Sequence, residues 1–305
     1  MSCKLRYAIL LGIVTSLELR AVTPDYAREE RWALEIAPQV VVGDPVWLQT
    51  RDRARVLALY TEPAAKAKGA VIVVHGLGVH PDWNLIGALR TELAERGFAT
   101  LSVQMPVLAA DAPRDGYRDL FPAAGEQLEA AARWLRGKGY AKIGIVSHSM
   151  GAAMVDAAFA RSDALSVDAW VPVGMLVDFA FTPRLPVLDV IAERDFPEAM
   201  AGAKTRAPRL PRDGCSRSVV IGNADHYFAG ATAALAESAA AFLERAFAGK
   251  CSGTAQSRSS SSPCVARARR SCTASHSASS GTASIRIASA FALSSMRRCA
   301  YKPCA

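Results

Sequence analysis

The stretch that most constrains the fold is KIGIVSHSMGAA, residues 142–153, where an apolar run stops abruptly and the small residues Gly151, Ala152 and Ala153 follow. Ile143, Ile145 and Val146 predict a short buried strand, and the small residues predict a helix whose first turn packs tightly against it. The turn between them has to be sharp. Ser149 at its apex is then held in a strained backbone conformation, its hydroxyl raised at the carboxyl edge of a sheet beside a helix N-terminus. A nucleophile is presented in this way. Ser147, two residues earlier, points into the packing between strand and helix and does not compete.

Other apolar runs supply the rest of the sheet. Residues 71–74 and 99–103 read as strands, the first a continuous run of the kind buried on both faces, and residues 169–173, 186–191 and 218–221 as three more. Residues 40–42 and 46–49 flank the turn signal Gly43-Asp44-Pro45, residues 55–60 read as a further strand, and residues 28–39 show no firm period. Helical spacing covers residues 82–96 through Leu85, Ile86, Leu89, Leu93 and Ala94, with Asp82 available as a cap and Gly97 as a stop. Residues 123–136 and the alanine-rich 232–247 predict two more helices. Strands alternating with helices imply crossovers, and so an α/β fold with a doubly wound, mostly parallel sheet. Such a sheet binds ligands at the carboxyl ends of its strands.

A serine nucleophile needs a base to take its proton, a carboxylate to orient that base, and N–H donors for the oxyanion. Asp195 follows the strand at 186–191 and His226 follows the strand at 218–221, so three loops leaving one sheet edge each carry a required group. Glu193 and Asp178 are rival carboxylates. Asp225 reads as solvated, and His75 as a residue that ties down its own loop. The run SHSMG, residues 147–151, resembles the nucleophile elbow of the α/β-hydrolase superfamily, with Ser147 where its first glycine usually stands. The order Ser149, Asp195, His226 is also that superfamily's order. More closely, HGLGVHPDW at 75–83, SVQMP at 102–106 and ADH at 224–226 are similar to a group of bacterial α/β-hydrolase-like proteins with no established substrate.

The resemblance implies a serine hydrolase that cleaves an ester, thioester or amide of a small-molecule acyl substrate, with no metal and no organic cofactor. By position, the amides of Leu77 and Met150 would receive the oxyanion, while His148 and Trp83 would meet substrate. Two alternatives stay open: an acyltransferase using the same groups, and a non-catalytic binding protein on the same scaffold. So few residues separate Val173 from Pro186 that no cap domain fits there, and an open site is expected.

Composition places these elements in one body, residues 28–248. The chain has 305 residues and a formal charge of +8, but nine of its 36 Lys and Arg fall in residues 249–305, which hold no Asp or Glu. The remaining 27 face 28 acidic residues. The body is nearly neutral, so the charge gives no reason to expect nucleic-acid binding. Residues 249–305 form a Ser-, Arg- and Cys-rich basic tail of low complexity, expected to be disordered. Five of the seven cysteines lie in that tail, leaving Cys3 and Cys215, so no disulfide framework is expected in the body. Residues 1–21 carry Lys4 and Arg6 ahead of an apolar run with the length of a signal-peptide core, too short for a stable membrane span. Export to the periplasm or beyond is favoured over the cytoplasm. The sequence assigns no oligomeric state.

Overall fold

Eight strands form one sheet in the order β1-β2-β4-β3-β5-β6-β7-β8 in the computed structural model, which describes residues 23–161 and 164–251. β1 (Asp44–Leu48) and β2 (Val56–Thr61) are antiparallel to each other, and β2 is antiparallel to β4 (Ala99–Val103). The rest is parallel: β4 pairs with β3 (Ala70–Val74), then β5 (Ile143–His148), β6 (Ala169–Val173), β7 (Leu188–Arg194) and β8 (Arg217–Asp225). Parallel neighbours require crossovers. α2 (Asn84–Glu95), α3 (Phe121–Gly137), α4 (Met150–Arg161) and α5 (Pro197–Arg206) lie in four of the five, and α6 (Thr232–Phe247) closes the fold. α2 and α6 cover one face of the sheet, α3 and α4 the other. The doubly wound, mostly parallel α/β sheet expected from the sequence is the one observed.

Every residue of β3, β4, β5 and β6 is buried, which is why these strands read as near-unbroken apolar runs rather than alternating ones. The connection from β6 to β7, residues 174–187, carries no helix, so no cap covers the carboxyl edge at the point where one was excluded on length.

At four places the structure adds to or departs from the sequence reading. Residues 28–39 are not irregular: α1 (Tyr26–Ile36) is capped by Asp25, whose carboxylate accepts the Arg28 amide at 2.9 Å. Its period is masked because the residue facing inward is Glu29, buried against Arg53. Residues 40–42 form no strand; Val41 is 94% exposed, and the edge strand instead takes in Asp44 and Pro45, a position where a missing N–H costs little. Asp82 does not cap α2, since its carboxylate pairs with the buried Arg90 at 2.7 Å.

The fourth concerns cysteine. Cys215 and Cys251 are joined in a disulfide, with Cα atoms 5.1 Å apart, so the body does carry a crosslink and extends past residue 248 to Cys251. Counting Cys251 with the low-complexity tail hid its partner. The expectations for residues 1–21 and for the tail after Cys251 lie outside the described residues. No described helix is long and apolar enough to cross a membrane.

Candidate active site

β5 ends at His148, and the chain turns through Ser149 into α4 with φ of +53° at the serine. A non-glycine residue is strained there and persists only where its surroundings hold it. The Ser149 amide donates to the Val173 carbonyl at 2.8 Å, tying the turn to β6. Gly151 allows the helix to start so close to β3: a Cβ there would collide with the His75 carbonyl oxygen and approach Val74 Cγ1 at 2.9 Å. Behind the turn, the Trp170 indole N–H donates to Ser147 Oγ at 2.9 Å, so Ser147 is buried and engaged, as its place in the motif requires.

Ser149 Oγ lies 3.0 Å from His226 Nε2, and His226 Nδ1 lies 2.6 Å from Asp195 Oδ1. The three predicted side chains therefore meet, although 77 positions separate the serine from the histidine. Asp195 also accepts the Phe196 amide on Oδ1 at 2.8 Å and the Ala192 amide on Oδ2 at 3.0 Å. Burial alone would raise its pKa, but the bonds from His226 and these two amides outweigh it and hold the carboxyl below the usual range. An ionised Asp195 keeps the ring proton on Nδ1, so Nε2 faces Ser149 as an acceptor. Phe196 stacks on the imidazole at 4.1 Å, a neighbour the sequence analysis did not single out. Gly174, with φ of +57°, leaves room for the pair, since a Cβ there would sit 3.0 Å from the ring. The rival carboxylates are engaged elsewhere: Asp178 pairs with Arg209, and Glu193 accepts the Asn223 amide.

His75 is buried at the end of β3. Its Nδ1 donates to the Gly76 carbonyl at 2.9 Å and its Nε2 accepts the Met105 amide at 2.8 Å. Burial drags its pKa down to about 3, so it stays neutral and pins the loop that carries Leu77. A Cβ on Gly76 would lie 3.3 Å from Ser149 Cβ, so this loop approaches the serine closely because residue 76 has no side chain. The amides of Leu77 and Met150 meet no protein acceptor among the described residues. Both residues line space next to Ser149.

Two cavities meet at the serine. One, of about 580 Å³, is walled by Leu77, Trp83, His148, Phe196, His226 and Tyr227. The other, of about 500 Å³, runs along α4 past Met150, Ala153, Asp156 and Ala157. Trp83 thus sits where a substrate contact was expected. His148 lines the same wall but is buried, and its Nε2 donates to the His226 carbonyl at 2.9 Å, which fixes the histidine loop to the elbow.

Burial first, and the neighbouring His226 second, lower the His148 pKa from 6.5 to about 4. Between those values the unfolded chain holds a proton on this ring that the folded chain does not, so stability falls as pH drops through the window. The slope is about 1.4 kcal/mol per pH unit. In His148→Gln, whose amide can still donate to the carbonyl, that contribution disappears. Urea unfolding at pH 6 and pH 5 is expected to show the variant losing about 1 kcal/mol less than the wild type over that unit, since the unfolded ring is only partly protonated at pH 6.

Sheet order, elbow and site geometry together define the class: this chain has the α/β-hydrolase fold. It is similar to the esterase domain of a Rhodothermus marinus protein at 16% identity and TM-score 0.53, over 67% of this chain and 98% of that one. It is similar to a dienelactone hydrolase from Anabaena variabilis at 20% identity and TM-score 0.53, over 66% and 96%. A Xanthomonas campestris α/β serine hydrolase described as lacking a lid superposes at 17% identity and TM-score 0.53, over 68% and 95%. Residues 18–125 match the model of a family described as a protein of unknown function, DUF3530. No curated protein matches the sequence.

Proposed function

We propose that this protein is a serine hydrolase that cleaves a carboxylic ester, thioester or amide through an acyl-enzyme intermediate. Ser149 Oγ attacks the substrate carbonyl carbon as His226 Nε2 takes the hydroxyl proton. The oxygen of the tetrahedral intermediate faces the amides of Leu77 and Met150. The carbon–heteroatom bond then breaks, and His226 returns its proton to the departing alcohol, thiol or amine. A water repeats the sequence on the acyl-Ser149 ester, losing its proton to His226 and releasing the acid. Asp195 stays ionised and steadies the imidazolium that forms twice in each cycle.

The observation that carries this reading is the unbroken line from Ser149 Oγ through His226 to Asp195, ending on a serine in a strained turn. Solved relatives named as esterases and hydrolases agree with it. The Cys215–Cys251 disulfide supports an oxidising compartment, and so export, because such bonds are rare where thiols are kept reduced. A fluorophosphonate probe should add its phosphonyl group to Ser149 and to no other serine, detected by peptide mass. Folded protein that leaves the probe untouched would remove the assignment.

A further inference from the structure

The two cavities meeting at Ser149 are chemically different, and the proposed mechanism assigns each a role. His226 must hand its proton to the leaving atom, so the leaving group occupies the cavity that His226 lines. The acyl part then extends into the other cavity, along α4. Its near wall is built from Met150, Ala153 and Ala157, small or apolar residues at helical spacing from the serine.

At the end of that stripe stands Asp156, seven residues after Ser149. Two helical turns place it on the same face, about 10 Å along the axis. Asp156 is 2% exposed. Its Oδ2 accepts the Ala180 amide at 2.8 Å, while Oδ1 has no hydrogen-bond partner among the described residues. A buried carboxylate oxygen without a donor is costly, and structures seldom leave one unless something supplies it. The charges lining this cavity are Arg114 and Arg118 against Asp115, Asp156, Asp178 and Glu198; Asp178 is already paired with Arg209, so the acidic excess is a single charge, and it favours a cationic donor.

We infer that this cavity is an acyl subsite selecting substrates whose acyl chain carries an ammonium group, or failing that a hydroxyl, about two helical turns from the scissile carbonyl, with Asp156 as its acceptor. The inference rests on the hydrolase reading of Ser149.

The test compares p-nitrophenyl esters of ω-aminooctanoic, ω-hydroxyoctanoic and nonanoic acids, equal in length and differing only at the far end. With wild-type enzyme, kcat/KM is expected to be at least about tenfold higher for the amino ester than for the nonanoyl ester, with the hydroxy ester between them. In Asp156→Asn the amide oxygen can keep the Ala180 bond while its NH2 turns to the cavity, and the ratio between esters is expected to collapse to near unity. Equal constants for the wild type overturn the subsite alone, even where the variant fails to fold. So does a preference that survives Asp156→Asn. No turnover of any ester, together with no fluorophosphonate labelling of Ser149, overturns the hydrolase reading and the subsite with it.

Discussion

Asp195→Asn is expected to lower kcat by about 10⁴-fold while leaving the protein folded and substrate binding little changed. All three partners of this carboxylate are donors: His226 Nδ1 and the amides of Ala192 and Phe196. An asparagine has one oxygen to share among them. With its NH2 toward the imidazole, the ring proton is forced onto Nε2, and Ser149 faces a donor instead of a base. With its oxygen toward the imidazole, the NH2 opposes the Ala192 N–H and a buried pair is lost, at about 1–3 kcal/mol. Either outcome removes the negative charge that steadies the imidazolium. Steady-state kinetics on the best p-nitrophenyl ester, with thermal melts as the folding control, measures this. A variant that keeps a tenth of the wild-type kcat would show that Asp195 does not orient the base.

Arg206→Met is expected to be the most damaging change outside the site. Arg206 is fully buried and clasps Asp189 on β7 with two parallel bonds of 3.0 and 3.1 Å, while Nη1 donates to the carbonyls of Met175 and Val177 at 3.0 and 2.7 Å. Removing it strands a buried carboxyl and two backbone carbonyls together, a loss of about 3–5 kcal/mol. Burial already raises the Asp189 pKa, and Arg206, with Ser218 second, opposes this. The loop it holds includes Leu176 and Val177, which line the cavity along α4, so KM is expected to rise as stability falls. Denaturant unfolding gives the first number and initial rates the second. The double variant Arg206→Met with Asp189→Leu is expected to recover part of the lost stability, because the uncompensated charge is gone. A single variant within 1 kcal/mol of the wild type would mean that the pair is replaceable by packing alone.

The contrast between these two residues explains what could be read from the sequence. Asp195 was legible because each reacting group follows an apolar strand, and sheet topology carries the ends of those strands to one edge. Arg206 was not, because an arginine in the charged, alanine-bearing run of α5 looks like any surface helix residue, and its burial depends on Asp189, an acid in the buried part of β7. Gly202 gives the only local hint: a Cβ there would come within 2.6 Å of the Arg206 guanidinium. Glu29 concealed α1 in the same way, as a charged residue on the inward face of a short helix. Asp156 was passed over because nothing in the pattern around it distinguishes a floor carboxylate from a solvated one.

The central strands were legible for the opposite reason. Val71, Ile72, Val73 and Val74 are all buried, so composition and environment agree residue by residue. The order of the carboxyl-edge groups was legible, but β7 and β8 run on to Arg194 and Asp225, past the expected ends at 191 and 221, so Asp195 and His226 follow their strands directly. The pairing of Cys215 with Cys251 needed three-dimensional information, since it joins the approach to β8 to the turn after α6.

That crosslink also fixes a direction. Cys215 precedes β8 and His226 follows it, so the whole strand, about 30 Å, lies between the disulfide and the imidazole. A bead or electrode attached close to Cys251 would therefore grip the described fold from the edge opposite Ser149 and His226.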